Sequence, residues 1–141
     1  MSIAARLEAA YRATDYVVEA PQGAFTLRVG EASAALAALH ARYGVDSSVY
    51  LSAWNPGSVP CAAADNDAAH ARLSAALRRA GHLGIEGWGR DPSGEWPAER
   101  SLLVPGLALS LARELARRFG QNAFLNAATA AVPRLVWSSA G

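Results

Sequence analysis

The order of elements written into this chain predicts an α+β fold. A ferredoxin-like split β-α-β-β-α-β core is expected over about residues 49–127, with an N-terminal helix, β-hairpin and second helix before it and one extra strand after it. Three observations carry this. Segments rich in aromatic and β-branched residues alternate with segments whose apolar residues recur at helical spacing. Gly, Pro and Asn mark nearly every boundary between them. With 141 residues, 52% hydrophobic and 18% charged, the chain can bury one core but not two. The expected organisation is therefore a single domain over 1–141, with an extension at 1–46, the core at 47–128 and the last strand at 133–138.

Each element has a local reason. Ile3, Leu7 and Tyr11 form one stripe of a helix over residues 2–13, and Ser2 can cap it. "YVVEA" and "AFTLRV" flank Pro21, Gln22 and Gly23 and read as a hairpin. Leu36, Leu39 and Tyr43 define a helix over 32–43 that stops at Gly44. "SVYLSAW" is a strand ended by Asn55, Pro56 and Gly57, and Asp65 or Asn66 can cap the following helix, which carries Leu73 and Leu77 to a stop at Gly81. "LGIEGWGR" and "SLLV" are strands on either side of the reversal "DPSGEWP". Leu107–Phe119 is an amphipathic helix closed by Gly120, and "NAFLNAA" and "RLVW" are the last strands.

Composition removes several classes of function. The net charge is +1, so no bulk field recruits nucleic acid or an anionic membrane. All basic residues are Arg, which excludes Lys-based Schiff-base and Walker-type phosphate chemistry. Cys61 is the lone cysteine, so neither an internal disulfide nor a multi-thiolate metal site is available, and no metal or cofactor is expected. "MSIAARLEAAYR" lacks the apolar core of a signal peptide and no segment is long enough to span a bilayer, so a cytoplasmic protein is expected. His40, His70 and His82 have no partners at metal-ligand spacing, and Cys61 has no identifiable base beside it.

Topology gathers the polar residues. Right-handed crossovers make the first and second core strands parallel, so both finish at the end where the third and fourth begin. Asn55, Asn66, Arg90, Asp91, Trp96, Glu99, Ser101, Gln121 and Asn122 should then converge on one edge. This set suits recognition of a small polar or anionic ligand: Asn55, Asn66, Gln121 and Asn122 would orient it, Arg90 would contact an anion, and Ser101 and Trp96 would complete the rim. Glu99 and Asp91 are the candidates for acid–base catalysis, and whether a reaction occurs is left open. Against this, Asn and Asp also serve as ordinary turn and cap residues. Two further readings stand beside the ligand site. The Trp96 hairpin could dock a protein partner or a second copy of the chain. Alternation also puts Tyr50, Ser52 and Trp54 on one side of a strand and Glu86, Trp88 and Arg90 on one side of another, an aromatic face that could stack single-stranded nucleic acid. Glu86 and the lack of a basic-aromatic signature count against nucleic acid, and burial under the N-terminal helices is the competing account of that face.

"WNPGS" at 54–58, Asn66 opening a helix, "GRDPSGEWPAERSLLV" at 89–104 and "RFGQNAFL" at 118–125, in that order, resemble a bacterial family, the domain of unknown function 3293 (DUF3293) family. The similarity runs from roughly Tyr11 to Trp137. The resemblance implies no biochemical activity. Its motif positions fall on Asn55, Pro56, Asn66, Asp91, Trp96, Glu99, Ser101, Phe119, Gly120, Gln121 and Asn122, and Arg100 stands where the family pattern leads one to expect a second acid beside Glu99.

Overall fold

A computed structural model describes residues 2–138. Helix α1 (Ile3–Ala13) leads into the hairpin of β1 (Asp15–Ala20) and β2 (Gly23–Leu27), then α2 (Ala34–Tyr43). The rest runs β3 (Ser48–Ser52), a short 3-10 turn at Pro56–Ser58, α3 (Ala63–Arg79), β4 (Ile85–Arg90), β5 (Glu99–Pro105), α4 (Leu109–Arg118), β6 (Ala123–Ala127) and β7 (Arg134–Trp137). The boundary residues act as their chemistry requires. Ser2 Oγ accepts from the Ala5 N–H at 3.1 Å and Ser33 Oγ from the Leu36 N–H at 3.1 Å, so two orphan helix donors are satisfied. Neither Asp65 nor Asn66 caps α3: the helix starts at Ala63, two to three residues earlier, which puts both side chains inside its first turns. Among the described residues no helix is long and apolar enough to cross a membrane.

All seven strands join one antiparallel sheet in the order β2-β1-β4-β5-β3-β6-β7. Strand alternation sorts the apolar residues onto two faces. On one, Val49, Leu51, Leu102 and Val104 meet Leu73 and Leu77 of α3 and Ala112 and Leu115 of α4. On the other, Tyr16, Val18, Tyr50, Ile85, Leu103 and Leu125 meet Leu36 and Leu39 of α2, with Tyr11 of α1 at the margin. Tyr50, Leu103 and Ile85 lie side by side across three strands. That register corrects one expectation: Tyr50, Ser52 and Trp54 belong to the face of α1 and α2, whereas Glu86, Trp88 and Arg90 point to the opposite one, so the two triplets form no common aromatic platform. Tyr50 is only 4% exposed.

Strand β4 turns Gly87 and Gly89 toward the α1 side. A side chain at Gly87 would collide with the Val17 carbonyl and come within 2.9 Å of Tyr50 Oη, so the glycine is what admits the Tyr50 ring beneath β1. There Tyr50 Oη donates to Val17 O at 2.9 Å. Gly87→Ala should therefore part the β1–β2 hairpin from β4 and cost more than about 2 kcal/mol, read as a fall in urea midpoint. An unchanged midpoint would show that the strands can separate without penalty.

Candidate functional site

The edge where β3 and β4 end is also where β5 and β6 begin. Between this edge and α1 lies a cavity of about 360 Å³. Leu7, Ala10 and Tyr11 form its helical wall, and Asn55, Glu99, Ser101 and Gln121 its polar wall. Trp54 and Trp96 stand near the mouth, Trp96 at 49% exposure.

The polar wall is held by the loop that leaves β3. Asn55 adopts a left-handed backbone (φ 45°, ψ 66°), a conformation that Asn tolerates better than most side chains. Its side-chain amide makes three bonds and, among the described residues, keeps one Nδ2 hydrogen free. The Asn55 N–H donates to Asn66 Oδ1 at 2.9 Å, Asn55 Oδ1 accepts from Asn66 Nδ2 at 2.8 Å and from the Cys61 N–H at 3.0 Å, and Asn55 Nδ2 donates to Glu99 Oε2 at 3.3 Å. Asn66, 3% exposed, thus stands behind the cavity and fixes Asn55.

Gln121 and Asn122 close the loop from the other side. Gln121 Nε2 donates to Trp54 O at 3.0 Å and Phe119 O at 3.3 Å. Two carbonyl partners fix the amide orientation, since an amide oxygen could accept from neither. Asn122 Nδ2 donates to Ser58 Oγ at 2.9 Å. Between them the Gly57 N–H reaches Gly120 O at 2.7 Å, and any Cβ at Gly120, whose φ is +68°, would lie 2.8 Å from Pro56 Cβ. Glycine is required there by conformation and by space alike.

Glu99 is the one carboxylate on the cavity wall among the described residues. Burial pushes its carboxyl above the usual range, and the Asn55 amide pulls it partly back. The nearby phenols are raised too: Tyr11 to about 12, through burial first and the Glu99 charge second, and Tyr16 and Tyr50 further still, mainly through burial. Tyr16 Oη donates to Tyr11 O at 2.9 Å, tying β1 to α1.

Four sequence-selected residues lie off the wall. Asn66 and Asn122 support it as described. Arg90 is 61% exposed and reaches Asp15 Oδ2 at 3.3 Å, so the anion contact expected of it is not made in the cavity. Asp91 closes its own turn, accepting from Ser93 Oγ at 2.7 Å, the Ser93 N–H at 3.0 Å and the Glu95 N–H at 2.9 Å, and these bonds, the hydroxyl first, hold its carboxyl below the usual range. Arg100 points to the far face, where Nη2 meets Glu86 Oε1 at 3.0 Å and Glu86 in turn meets buried His70 at 3.0 Å. An acid at position 100 would not have faced Glu99. Cys61 is exposed and outside the cavity. Among the described residues no group of three His, Cys, Asp or Glu side chains is placed to hold a metal ion. What sequence reading missed is the helical wall. Leu7, Tyr11 and Thr14 recur at helical spacing and were legible as a packed stripe, and the alternate glycines of "EGWGR" were the sign of space on one face of β4.

The family model described as "Protein of unknown function (DUF3293)" matches residues 51–124, just over half the chain. The chain belongs to the DUF3293 family. That span carries Asn55, Asn66, Trp96, Glu99, Ser101 and Gln121, while α1 lies outside it. No curated protein and no solved structure matches the chain.

Two stability measurements probe this site. Asn66→Ala strands the Asn55 N–H and should cost about 1–3 kcal/mol in denaturant unfolding, because a buried donor is left unmet; a neutral result would mean that water replaces the clasp. Glu99 titrates the other way. Its folded form holds the proton more tightly than the unfolded chain, so the associated stability is present below about pH 4.3 and is lost as pH rises through the higher folded value. Glu99→Gln should then raise Tm above that window and lose its advantage below it, and a Tm difference that is constant with pH would contradict the raised carboxyl.

Proposed function

We propose that this DUF3293 chain binds a small polar ligand in the cavity between α1 and the sheet edge. The observation that carries this reading is the cavity itself: about 360 Å³, within the usual range for small-molecule sites, walled by aromatic and aliphatic groups with a few fixed polar ones. Left-handed Asn55 and Ser58 (φ 63°), both on its lining, support it, since such backbone is retained where the surrounding structure over-determines it. Asn55, Gln121 and Ser101 would orient the ligand, Trp96 would cover it, and Glu99 is the group suited to exchange a proton should the bound molecule react. We also read β3-α3-β4-β5-α4-β6 as a ferredoxin-like core, on the strand order β4-β5-β3-β6 and the shared packing of α3 and α4 on one face.

Docking of a partner through Trp96 is the second reading, favoured by the half-exposed indole. The cavity behind that indole favours the first. Protein-observed NMR with neutral, cationic and anionic compounds separates them, run on wild type and on Ala10→Phe, which fills the helical wall. At least one compound should move Trp54, Trp96 and Gln121 resonances together and cease to do so in Ala10→Phe, with the variant's Tm within a few degrees of wild type. At a hundred times its dissociation constant such a compound should add about 2.7 kcal/mol of stability. Silence at those resonances would move the assignment to docking through Trp96.

A further inference from the structure

We infer that the ligand is an organic ammonium ion whose counter-charge is Glu99. This rests on the cavity being a ligand site and specifies what enters it. Among the described residues the lining contains one carboxylate and no Arg or His. The basic groups nearest in the fold are engaged elsewhere: Arg28 and Arg90 with Asp15, and Arg100 with Glu86 and Asp67 on the opposite face. Glu99 Oε2 receives only the amide of Asn55, and Oε1 has no hydrogen bond among the described residues. A half-buried carboxylate with one neutral donor is poorly compensated, and a cation that reaches it from the cavity completes the pair.

Several of the other polar groups on the lining also call for a donor. Gln121 directs both bonds of its Nε2 to carbonyls and leaves Oε1 without a partner among the described residues. The hydroxyls of Thr14, Tyr16, Tyr50, Ser52 and Ser101 donate to main-chain carbonyls within the fold. Around these acceptors stand the rings of Tyr11, Tyr16, Tyr50, Trp54 and Trp96. Aromatic rings beside a carboxylate attract an alkylated or aryl ammonium, which carries charge on an apolar body, better than a compact metal ion, which needs several oxygen ligands. An anion would meet Glu99 with no basic side chain on the lining, among the described residues, to offset it.

The test is a matched set of probes: benzylammonium, benzyl alcohol and benzoate, which share a ring and differ in charge. Each is titrated at neutral pH by protein-observed NMR against wild type, Glu99→Gln and Ala10→Phe. Benzylammonium should bind at least about tenfold tighter than the other two, a difference of roughly 1.4 kcal/mol. Glu99→Gln should erase that preference while leaving benzyl alcohol within about threefold of its wild-type affinity. Because the side-chain amide of Glu99→Gln keeps an oxygen for Asn55, a loss of preference would reflect the charge and not a collapsed loop. Benzyl alcohol or benzoate binding in the cavity as tightly as benzylammonium would overturn the ammonium assignment and leave the ligand site standing. Benzylammonium binding that survives in Ala10→Phe would place it on surface carboxylates and would also overturn the assignment. If none of the three moves cavity resonances, the assignment falls, and the ligand site falls with it only where the wider compound screen is silent as well.

Discussion

The reciprocal pair of Asn55 and Asn66 is the contact on which the rest of the site depends. The chain leaving β3 must reverse at the sheet edge, where its main-chain groups lose their ladder partners. Asn55 takes the left-handed turn, and Asn66 on α3 satisfies both its main-chain N–H and its side-chain oxygen. That leaves Asn55 Nδ2 directed at Glu99 on β5. From the other side Gln121 bonds Trp54 O, and Gly120 O takes the Gly57 N–H. One loop is thereby fastened to α3, to β5 and to the start of β6. Side-chain networks of this kind are stable only when nearly complete, so the polar wall is preformed before any ligand arrives.

Charge separation in the same region follows from the pleat of β5. Glu99 and Arg100 are adjacent, so they must leave the strand on opposite faces. Arg100 enters a network with Glu86 and Asp67, with its own side chain 32% exposed, where ion pairs contribute little to stability and mostly fix position. Glu99 is left on the cavity face without a basic neighbour among the described residues. Burial pushes its carboxyl up, and the Tyr11 phenol, raised first by its own burial, is pushed further by the Glu99 charge. Proteins tolerate such uncompensated groups where function uses them and give up some stability in return.

Much of the fold was legible because its boundaries are set by local chemistry. Gly44 is left-handed after α2, Ser2 caps α1, and Pro56 with Gly57 forms the 3-10 turn after β3, each a short-range constraint that sequence states directly. The convergence of Asn55, Glu99, Ser101 and Gln121 was legible for a different reason, since strand direction alone brings the ends of β3 and β4 to the starts of β5 and β6. What alternation within a strand could not give is the register between strands. Tyr50 and Trp88 each sit correctly on their own strand, yet only the pairing of Tyr50 with Leu103 and of Leu103 with Ile85 shows that they face apart. Arg90 and Asp91 show a related limit: both stand at the expected edge, but Asp15 and the Ser93 turn engage them off the cavity wall, and those partners come from outside the strand pattern.

The two walls of the cavity differ in how firmly they are built. The polar wall lies in the span that the DUF3293 model matches and is tied to three elements by hydrogen bonds. The helical wall lies outside that span, and no residue of α1 is fully buried. What holds α1 is a handful of marginal contacts: the edge-on packing of Tyr11 against Trp137 at 6.0 Å and the Tyr16 hydroxyl on Tyr11 O. With no fully buried residue of its own, α1 can open locally at a lower free-energy cost than unfolding of the sheet. Recognition by charge and hydrogen bonding therefore resides in the rigid wall, and the volume available to a ligand is set by the compliant one.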